Sequence, residues 1–178
     1  MKNPAFIGLL VLLFSGCSDP QATPADLPAG AIRVGGAVAQ ELVLNAEALP
    51  EFEVRQIGDI DLKKGGGEVY KSLNNAEGVL LKDILQAASP AGLTNKSYSS
   101  FFVVCTAADG YRTLYSWNEL FNTEVGEQVY IITAAAGERL EGIKDGAMMV
   151  SLGDLLNGKR NLRGLSAIDI LHFGEIVQ

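Results

Sequence analysis

The pattern of apolar and polar positions is clearest between residues 101 and 119, where it predicts two strands and a helix. An apolar run ends at Asp109-Gly110, a pair that supplies the positive φ angles of a tight hairpin turn. A second run, residues 111–115, leads back along the first. Ser116 and Glu119 then have the spacing of a capping box, in which each side chain bonds to the other residue's backbone amide. We therefore predict an antiparallel hairpin followed directly by a short helix.

The chain before this hairpin predicts several short strands. Residues 52–57 alternate apolar and polar side chains with the two-residue period of a half-buried strand. Residues 59–64 and 68–72 flank Gly65-Gly66-Gly67, which suits the turn of a second hairpin. A phosphate-cradling loop is the alternative for three glycines, but no lysine-serine pair follows them. Further strands are expected at residues 32–38 and 41–44, followed by a brief helix that Asn45 caps and that runs through Leu49.

Helical spacing of apolar residues predicts one longer helix, at residues 78–88, which Pro90 and Gly92 then stop. Beyond the central hairpin, strands are expected at residues 129–133 and 147–152, and the last apolar segment covers residues 162–173. Met148 and Met149 are adjacent in one strand, so we expect only one of them to face a core. Short strands mixed with two or three short helices predict an α+β fold and not a doubly wound sheet.

The first residues have the pattern of a secretory signal. Lys2 precedes an apolar run of about ten residues, shorter than the roughly 20 that a membrane-spanning helix needs. The run ends in Leu13-Phe14-Ser15-Gly16-Cys17, which resembles the lipobox of bacterial lipoproteins, although leucine is usual where Phe14 stands. An ordinary signal peptide with an incidental cysteine is the alternative.

These features predict three segments. Residues 1–16 are the expected signal peptide, residues 17–30 the lipidated N-terminus with a proline-containing tether, and residues 31–178 one domain. Lipidation of Cys17 implies a membrane anchor in the bacterial cell envelope. Ser18 after the cysteine resembles lipoproteins sent to the outer membrane, where the domain would face the periplasm.

The net charge excludes some classes of partner, and the cysteine content bears on disulfide bonds. The formal net charge of −7 argues against nucleic acid or anionic lipid as the main partner. With Cys17 lipidated, Cys105 has no partner for a disulfide. A small buried core residue is the simpler interpretation of Cys105. A thiolate ligand or nucleophile is the alternative, and it needs a cationic or metal neighbour that the sequence does not show.

Four segments together resemble the small members of the sulfite-oxidase-like molybdopterin-binding domain. They are GVLLKDILQAA, VVCTAADGYRTLYSWNEL, VYIIT, and AMMVSLGD with GKRNLRGLSAIDI. The resemblance covers about residues 31–176, and ADGYRTLYSWNEL is its most specific part. It implies a single α+β domain of short strands, hairpins and short helices, and it makes molybdopterin the candidate cofactor.

The chain departs from this family at the metal ligand. In the catalytic members a cysteine thiolate, upstream of the glycine-led helix, binds molybdenum. Residues 52–77 occupy that place here and contain no cysteine, while Cys105 follows the helix. Because a soft thiolate selects a metal of this kind, the resemblance implies a degenerate domain with no metal ligand and no retained cofactor.

The family also holds its cofactor's phosphate with basic side chains. By that resemblance Lys159, Arg160 and Arg163 are the candidate anion-binding cluster, with Arg112 as a neighbour. Solvated charges around a turn are the alternative. No catalytic residue can be assigned, since His172 is the only histidine and the carboxylates have no spacing that fixes an acid and a base.

Two functions follow as hypotheses. The first is an envelope lipoprotein whose degenerate domain binds an anionic small molecule or a protein partner. The alternative is an oxidoreductase that carries a molybdenum cofactor, completed by Cys105 or a non-thiolate group, and passes electrons to an envelope cytochrome. A third hypothesis is a structural lipoprotein without a small ligand. It would be favoured if Arg112 and Arg163 lay far apart and exposed.

Overall fold

The structure is a computed structural model that describes residues 28, 30–139 and 146–176, with the side chains of the last two left out. The predicted signal peptide, Cys17 and nearly all of the tether lie outside these described residues. The described chain is rich in strands and has short helices, so the prediction of a mixed α+β fold is confirmed.

The described residues form two sheets. In chain order the strands are β1 (Ile32–Gly36), β2 (Leu42–Leu44), β3 (Arg55–Lys63), β4 (Val69–Leu80), β5 (Phe101–Ala107), β6 (Arg112–Ser116), β7 (Val129–Ala135), β8 (Glu138–Arg139), β9 (Met148–Ser151), β10 (Leu162–Arg163) and β11 (Leu165–His172). The first sheet has the order β2-β1-β11-β5-β6, and the second has the order β10-β9-β7-β4-β3, with β8 beside β7. Only the β1–β11 pair is parallel among these described pairings.

The helices are α1 (Leu81–Ala87), α2 (Trp117–Asn122) and α3 (Phe173–Ile176), with one-turn 3₁₀ segments between strands. Among the described residues, no helix combines the length and the apolar character that crossing a bilayer requires. The predicted helix at 78–88 begins later than expected. Its first residues belong to β4, where Gly78 pairs with Ile132 of β7. A Cβ at position 78 would lie 2.7 Å from the Ile131 carbonyl oxygen, so glycine permits this close pairing.

The predicted segments 52–57 and 59–64 merge into one strand, β3. It starts at Arg55 and pairs with β4 through several irregularities in register. Gly58 has a φ of 87°, a left-handed conformation that lets the strand continue through one of these bulges. The hairpin with β4 is confirmed, since Lys64 and Glu68 close its turn by a backbone hydrogen bond of 2.8 Å.

Residues after Asn45 differ from the expected brief α-helix. The Asn45 side chain accepts hydrogen bonds from the backbone amides of Glu47 and Ala48, and only a 3₁₀ turn, Leu49–Glu51, follows. These are the hydrogen bonds of an N-cap, and the Leu49 amide donates to the Asn45 carbonyl at 3.0 Å, so the predicted cap is present but a longer helix does not follow.

The central hairpin and the helix after it are confirmed. Gly110 has a φ of 86°, and the backbone of Ala107 bonds to Tyr111 across the turn. The Ser116 hydroxyl accepts from the Glu119 amide at 3.0 Å and caps α2. Trp117, at the start of α2, is 2% exposed and stacks on Phe121.

Two apolar clusters lie on the two faces of the second sheet. The larger one fills the space between the sheets and includes Cys105, Trp117 and Met149. The smaller one includes Met148 and Val150. Both methionines are therefore buried, which corrects the expectation that only one would face a core. The tips of the two hairpins meet the turn before β10 and form a groove with it.

Candidate functional site

A groove of about 420 Å³ opens where three loops of the fold come together. The β3–β4 turn, the central hairpin turn and the segment that leads into β10 form its walls. The lining residues are Lys64, Gly65, Tyr70, Ala107, Asp109, Tyr111, Gly158, Lys159, Asn161, Leu162 and Arg163. Loops held by a rigid sheet scaffold are common places for binding sites, so this groove is the candidate functional site.

Asn157 joins two of the three walls. Its side chain is buried, with Oδ1 accepting from the Lys63 amide at 2.9 Å and Nδ2 donating to the Asp61 carbonyl at 3.1 Å. Gly158 lies so close to β3 that a Cβ there would overlap the Lys63 carbonyl oxygen. The two walls that carry Lys64 and Lys159 are thereby fixed against each other.

Tyr111 connects the third wall. Its hydroxyl donates to the Lys159 carbonyl at 2.8 Å, and its backbone amide donates to Asp109 Oδ1 at 2.9 Å. The side chain is 49% exposed, so one part of the ring remains open to the groove. The Asp-Gly-Tyr turn that carries the family resemblance is thus a structural part of the site.

The groove gathers positive charge in an acidic chain. Of the described residues, Lys64, Lys159 and Arg163 line it together with a single carboxylate, Asp109. Lys64 forms an ion pair with Glu68 at 3.5 Å, but both side chains are more than half exposed, so water and salt screen this contact strongly. Among the described lining residues, basic side chains therefore outnumber acidic ones, in a chain whose net charge is −7.

The aromatic ring of Tyr70 lies beside one of these cations. The Arg163 guanidinium stands 5.9 Å from the centre of the Tyr70 ring, which is within the range of a cation–π contact. This contact favours an orientation in which the Arg163 guanidinium lies against the Tyr70 ring. Of the basic residues predicted from the sequence, the structure brings Lys159 and Arg163 together at the groove.

Arg160 points elsewhere. Its guanidinium donates to both carboxylate oxygens of Asp154 and to Glu119 Oε1, and it lies 4.4 Å from the centre of the Tyr115 ring. The hydrogen bond with Asp154, and then the one with Glu119, raises the pKa of Arg160 against the effect of its partial burial. With two carboxylates around it, Arg160 connects the β9–β10 loop to α2.

Arg112 does not line the groove either. It is exposed on β6, opposite Thr106 of β5, on the same strand face as Leu114. The four predicted cations therefore occupy three different environments.

Cys105 lies in the larger core cluster with no exposed surface. Burial raises the pKa of its thiol well above the ordinary value, and the charge of Asp169 adds to this effect. The simpler sequence interpretation, a buried core residue, is confirmed. In the described part of the chain, no three His, Cys, Asp or Glu side chains come together in a way that could hold a metal ion.

Sequence reasoning missed several residues of the site. Lys64, Tyr70 and Asn161 line the groove, yet the sequence indicated a role for none of them, although Asn161 lies in the segment GKRNLRGLSAIDI. The glycine triplet was the available signal for Lys64, since Gly65 lies on the groove beside the Lys159 side chain. Asn161 is 9% exposed, and its Oδ1 accepts from the Ser151 amide at 3.1 Å.

The geometry can be compared with known proteins. No protein-family model and no curated protein sequence matches this chain. Among solved structures, the sulfane dehydrogenase SoxCD from Paracoccus pantotrophus superposes with a TM-score of 0.57 at 15% sequence identity. This chain is similar to it in fold. The match covers 85% of this chain but only 40% of the SoxCD chain, so this chain spans less than half of that chain's length.

Proposed function

We propose that this protein is a lipoprotein of the bacterial cell envelope whose domain binds an anionic small molecule in the groove. One observation carries the proposal: Lys64, Lys159 and Arg163 converge on a single groove in a chain of net charge −7. An anion bound there would interact favourably with basic side chains from two separate segments of the chain.

The chemistry of the groove suits an oxyanion. Arginine presents a planar fork that matches carboxylate and phosphate oxygens, while lysine acts as a compact point charge. The backbone at Gly65 and Gly158 also lines the groove. The rings of Tyr70 and Tyr111 offer apolar surface next to the charges.

Molybdopterin, which the family resemblance suggests, fits the groove only in part. The three cations suit its phosphate. The metal fits poorly, because the described residues that line the groove include no cysteine or histidine and the Cys105 thiol is in the core. We therefore derive no reaction at a metal, and the proposal is a binding function in a degenerate domain.

The alternative is a molybdenum-cofactor-dependent oxidoreductase that passes electrons to an envelope cytochrome. The fold likeness to a sulfane dehydrogenase favours it. Metal analysis distinguishes the two functions. If the domain only binds an anion, we expect molybdenum far below one atom per chain after purification from a host that makes the cofactor. Stoichiometric molybdenum would support the oxidoreductase.

A titration of the full chain in detergent with inorganic phosphate and with pyrophosphate tests the binding function. By calorimetry, we expect binding that weakens as salt is added and is at least about tenfold tighter for wild type than for the Lys159→Gln, Arg163→Gln double variant. Arg112→Gln is the matched control, since it removes a cation outside the groove. Equal losses in the two variants, or no binding by wild type, would reject the proposed site.

A further inference from the structure

The orientation of the Asn161 side chain follows from its surroundings. The Ser151 backbone amide is a donor, so the atom that faces it at 3.1 Å must be the Asn161 oxygen. The amide nitrogen, Nδ2, therefore points the other way. A flip of the side chain would set two donors against each other and leave the buried Ser151 amide without its acceptor.

Nδ2 has no hydrogen-bond partner among the described residues, although it is buried. Buried polar groups in folded proteins are almost always paired, and an exception calls for a missing partner such as a ligand or a water. Asn161 is about nine-tenths buried, and it lines the same groove as Lys159 and Arg163. The residue that carries this unpaired donor thus lines the groove.

We propose that Asn161 Nδ2 donates a hydrogen bond to an oxygen of the bound ligand, which makes Asn161 the specificity-determining residue of the groove. The inference rests on the proposed function and adds to it. Lysine and arginine attract any anion, whereas an oriented neutral donor stabilises only a ligand that has an acceptor oxygen at one position. The ligand class is an oxyanion, such as a phosphate or a carboxylate, in preference to a halide of the same charge.

A buried water is the competing partner for Nδ2. The hydroxyls of Tyr115 and Ser151 are also buried without a hydrogen bond of normal geometry among the described residues. Ser151 is near enough to lower the pKa of Tyr115 against the larger effect of burial, so the two hydroxyls are neighbours. A water held by these hydroxyls could accept from Nδ2, and it would do so with or without a ligand.

Nuclear magnetic resonance of the ¹⁵N-labelled full chain in detergent distinguishes the two partners. The Asn161 side-chain amide signal is assigned by its absence in Asn161→Asp. On addition of inorganic phosphate, we expect this signal to shift with the same midpoint as the backbone amides of Gly65 and Gly158. If those backbone signals shift and the Asn161 side-chain signal does not, a water is the partner and the inference is wrong. If no signal shifts, the proposed function itself fails.

The Asn161→Asp variant supplies a second measurement. Aspartate keeps an oxygen for the Ser151 amide but replaces the donor by a charged acceptor, so we expect phosphate affinity to fall at least about tenfold. The donor is separated from the added charge by two anions of equal charge, nitrate and iodide. Added charge alone would weaken both by the same factor, whereas loss of the donor weakens nitrate more than iodide. Asp109→Asn is the control, because it changes one charge in the same groove and should strengthen both anions alike. Equal losses for nitrate and iodide in Asn161→Asp would overturn the inference, and if the variant does not fold, the wild-type titration decides.

Discussion

The side chain of Asn157 and the backbone of Lys63 are hydrogen-bonded at 2.9 Å, although 94 residues separate them in the chain. This bond, with the one from Nδ2 to the Asp61 carbonyl, holds the turn that carries Lys159 against the hairpin that carries Lys64. The spacing of the groove's cations therefore depends on one buried amide.

Asn157→Ala should destabilise the fold and weaken anion binding together. The substitution removes two part-buried hydrogen bonds and leaves the Lys63 amide and the Asp61 carbonyl without this partner, which costs about 1–3 kcal/mol. Urea unfolding followed by tryptophan fluorescence measures the stability, and the phosphate titration measures the binding. Asn95→Ala, at an exposed asparagine in a loop, is the control and should change neither. An unchanged phosphate affinity in folded Asn157→Ala would show that the two walls do not depend on this amide.

Gly158→Ala tests the close approach of the same turn to β3. An added Cβ would overlap the Lys63 carbonyl oxygen, so the turn must move away and the free energy of unfolding should fall by about 1–3 kcal/mol. Gly66→Ala is the matched control, since a Cβ there meets nothing within 4 Å and its φ is not positive. The comparison of the two melting temperatures measures the effect. A Gly158→Ala protein as stable as Gly66→Ala would contradict the packing described for this turn.

Local signals predicted the central hairpin and the start of α2. The turn geometry at Gly110 and the cap at Ser116 depend on neighbours in the chain, and both are present. The capping box also predicts that the Glu119 carboxylate bonds to the Ser116 amide. In the structure this carboxylate accepts instead from Arg160, 41 residues away. Sequence spacing shows which partner is near in the chain, but a competing partner from another loop depends on the fold.

Long-range pairing explains the remaining differences. Gly78 begins a helical pattern in the sequence, yet the residues before Leu81 pair with β7 and stay extended. Met148 and Met149 are both buried because the second sheet has an apolar cluster on each face. The groove is assembled by the same kind of contact, so Lys64 and Asn161 could not be identified from their own segments.

Arg160→Met should lower stability without weakening anion binding. The substitution leaves Asp154 and Glu119 without their common cation, and we expect a loss of about 1–3 kcal/mol. Phosphate affinity should stay within about twofold of wild type, because Arg160 does not line the groove. Lys159→Met is the counterpart on the groove. It should weaken phosphate binding without lowering stability. A tenfold loss of phosphate affinity in Arg160→Met would return Arg160 to the anion-binding cluster predicted from the sequence.

The proposed location in the cell envelope depends on lipidation of Cys17. If the lipobox-like segment is processed, the mature chain begins at Cys17 and carries acyl groups, each buried methylene of which contributes about 0.8 kcal/mol to membrane affinity. Mass spectrometry of the membrane fraction should find this modified N-terminus, and Cys17→Ser should remove it. Cys105→Ser is the control and should leave the anchoring unchanged. A secreted chain without acyl groups would support the ordinary signal peptide instead.

The thiol of Cys105 should make the fold sensitive to alkaline pH. Burial raises the pKa of this thiol in the folded protein above its value in the unfolded chain, which is about 8.5. The stability that this difference represents is fully present below the unfolded pKa, and it is lost as pH rises toward the folded pKa, since the unfolded chain releases the proton first.

We therefore expect the free energy of unfolding to decline from about pH 8.5 upward, and Cys105→Ala to flatten the first part of that decline. Tyr115, whose pKa burial also raises, adds a second decline above about pH 10 that Cys105→Ala leaves in place. Urea unfolding between pH 7 and pH 10.5 measures both, and a thiol reagent should modify Cys105 only in the unfolded chain. Identical pH profiles for wild type and Cys105→Ala, or rapid modification of the folded protein, would show that the thiol is not in the core.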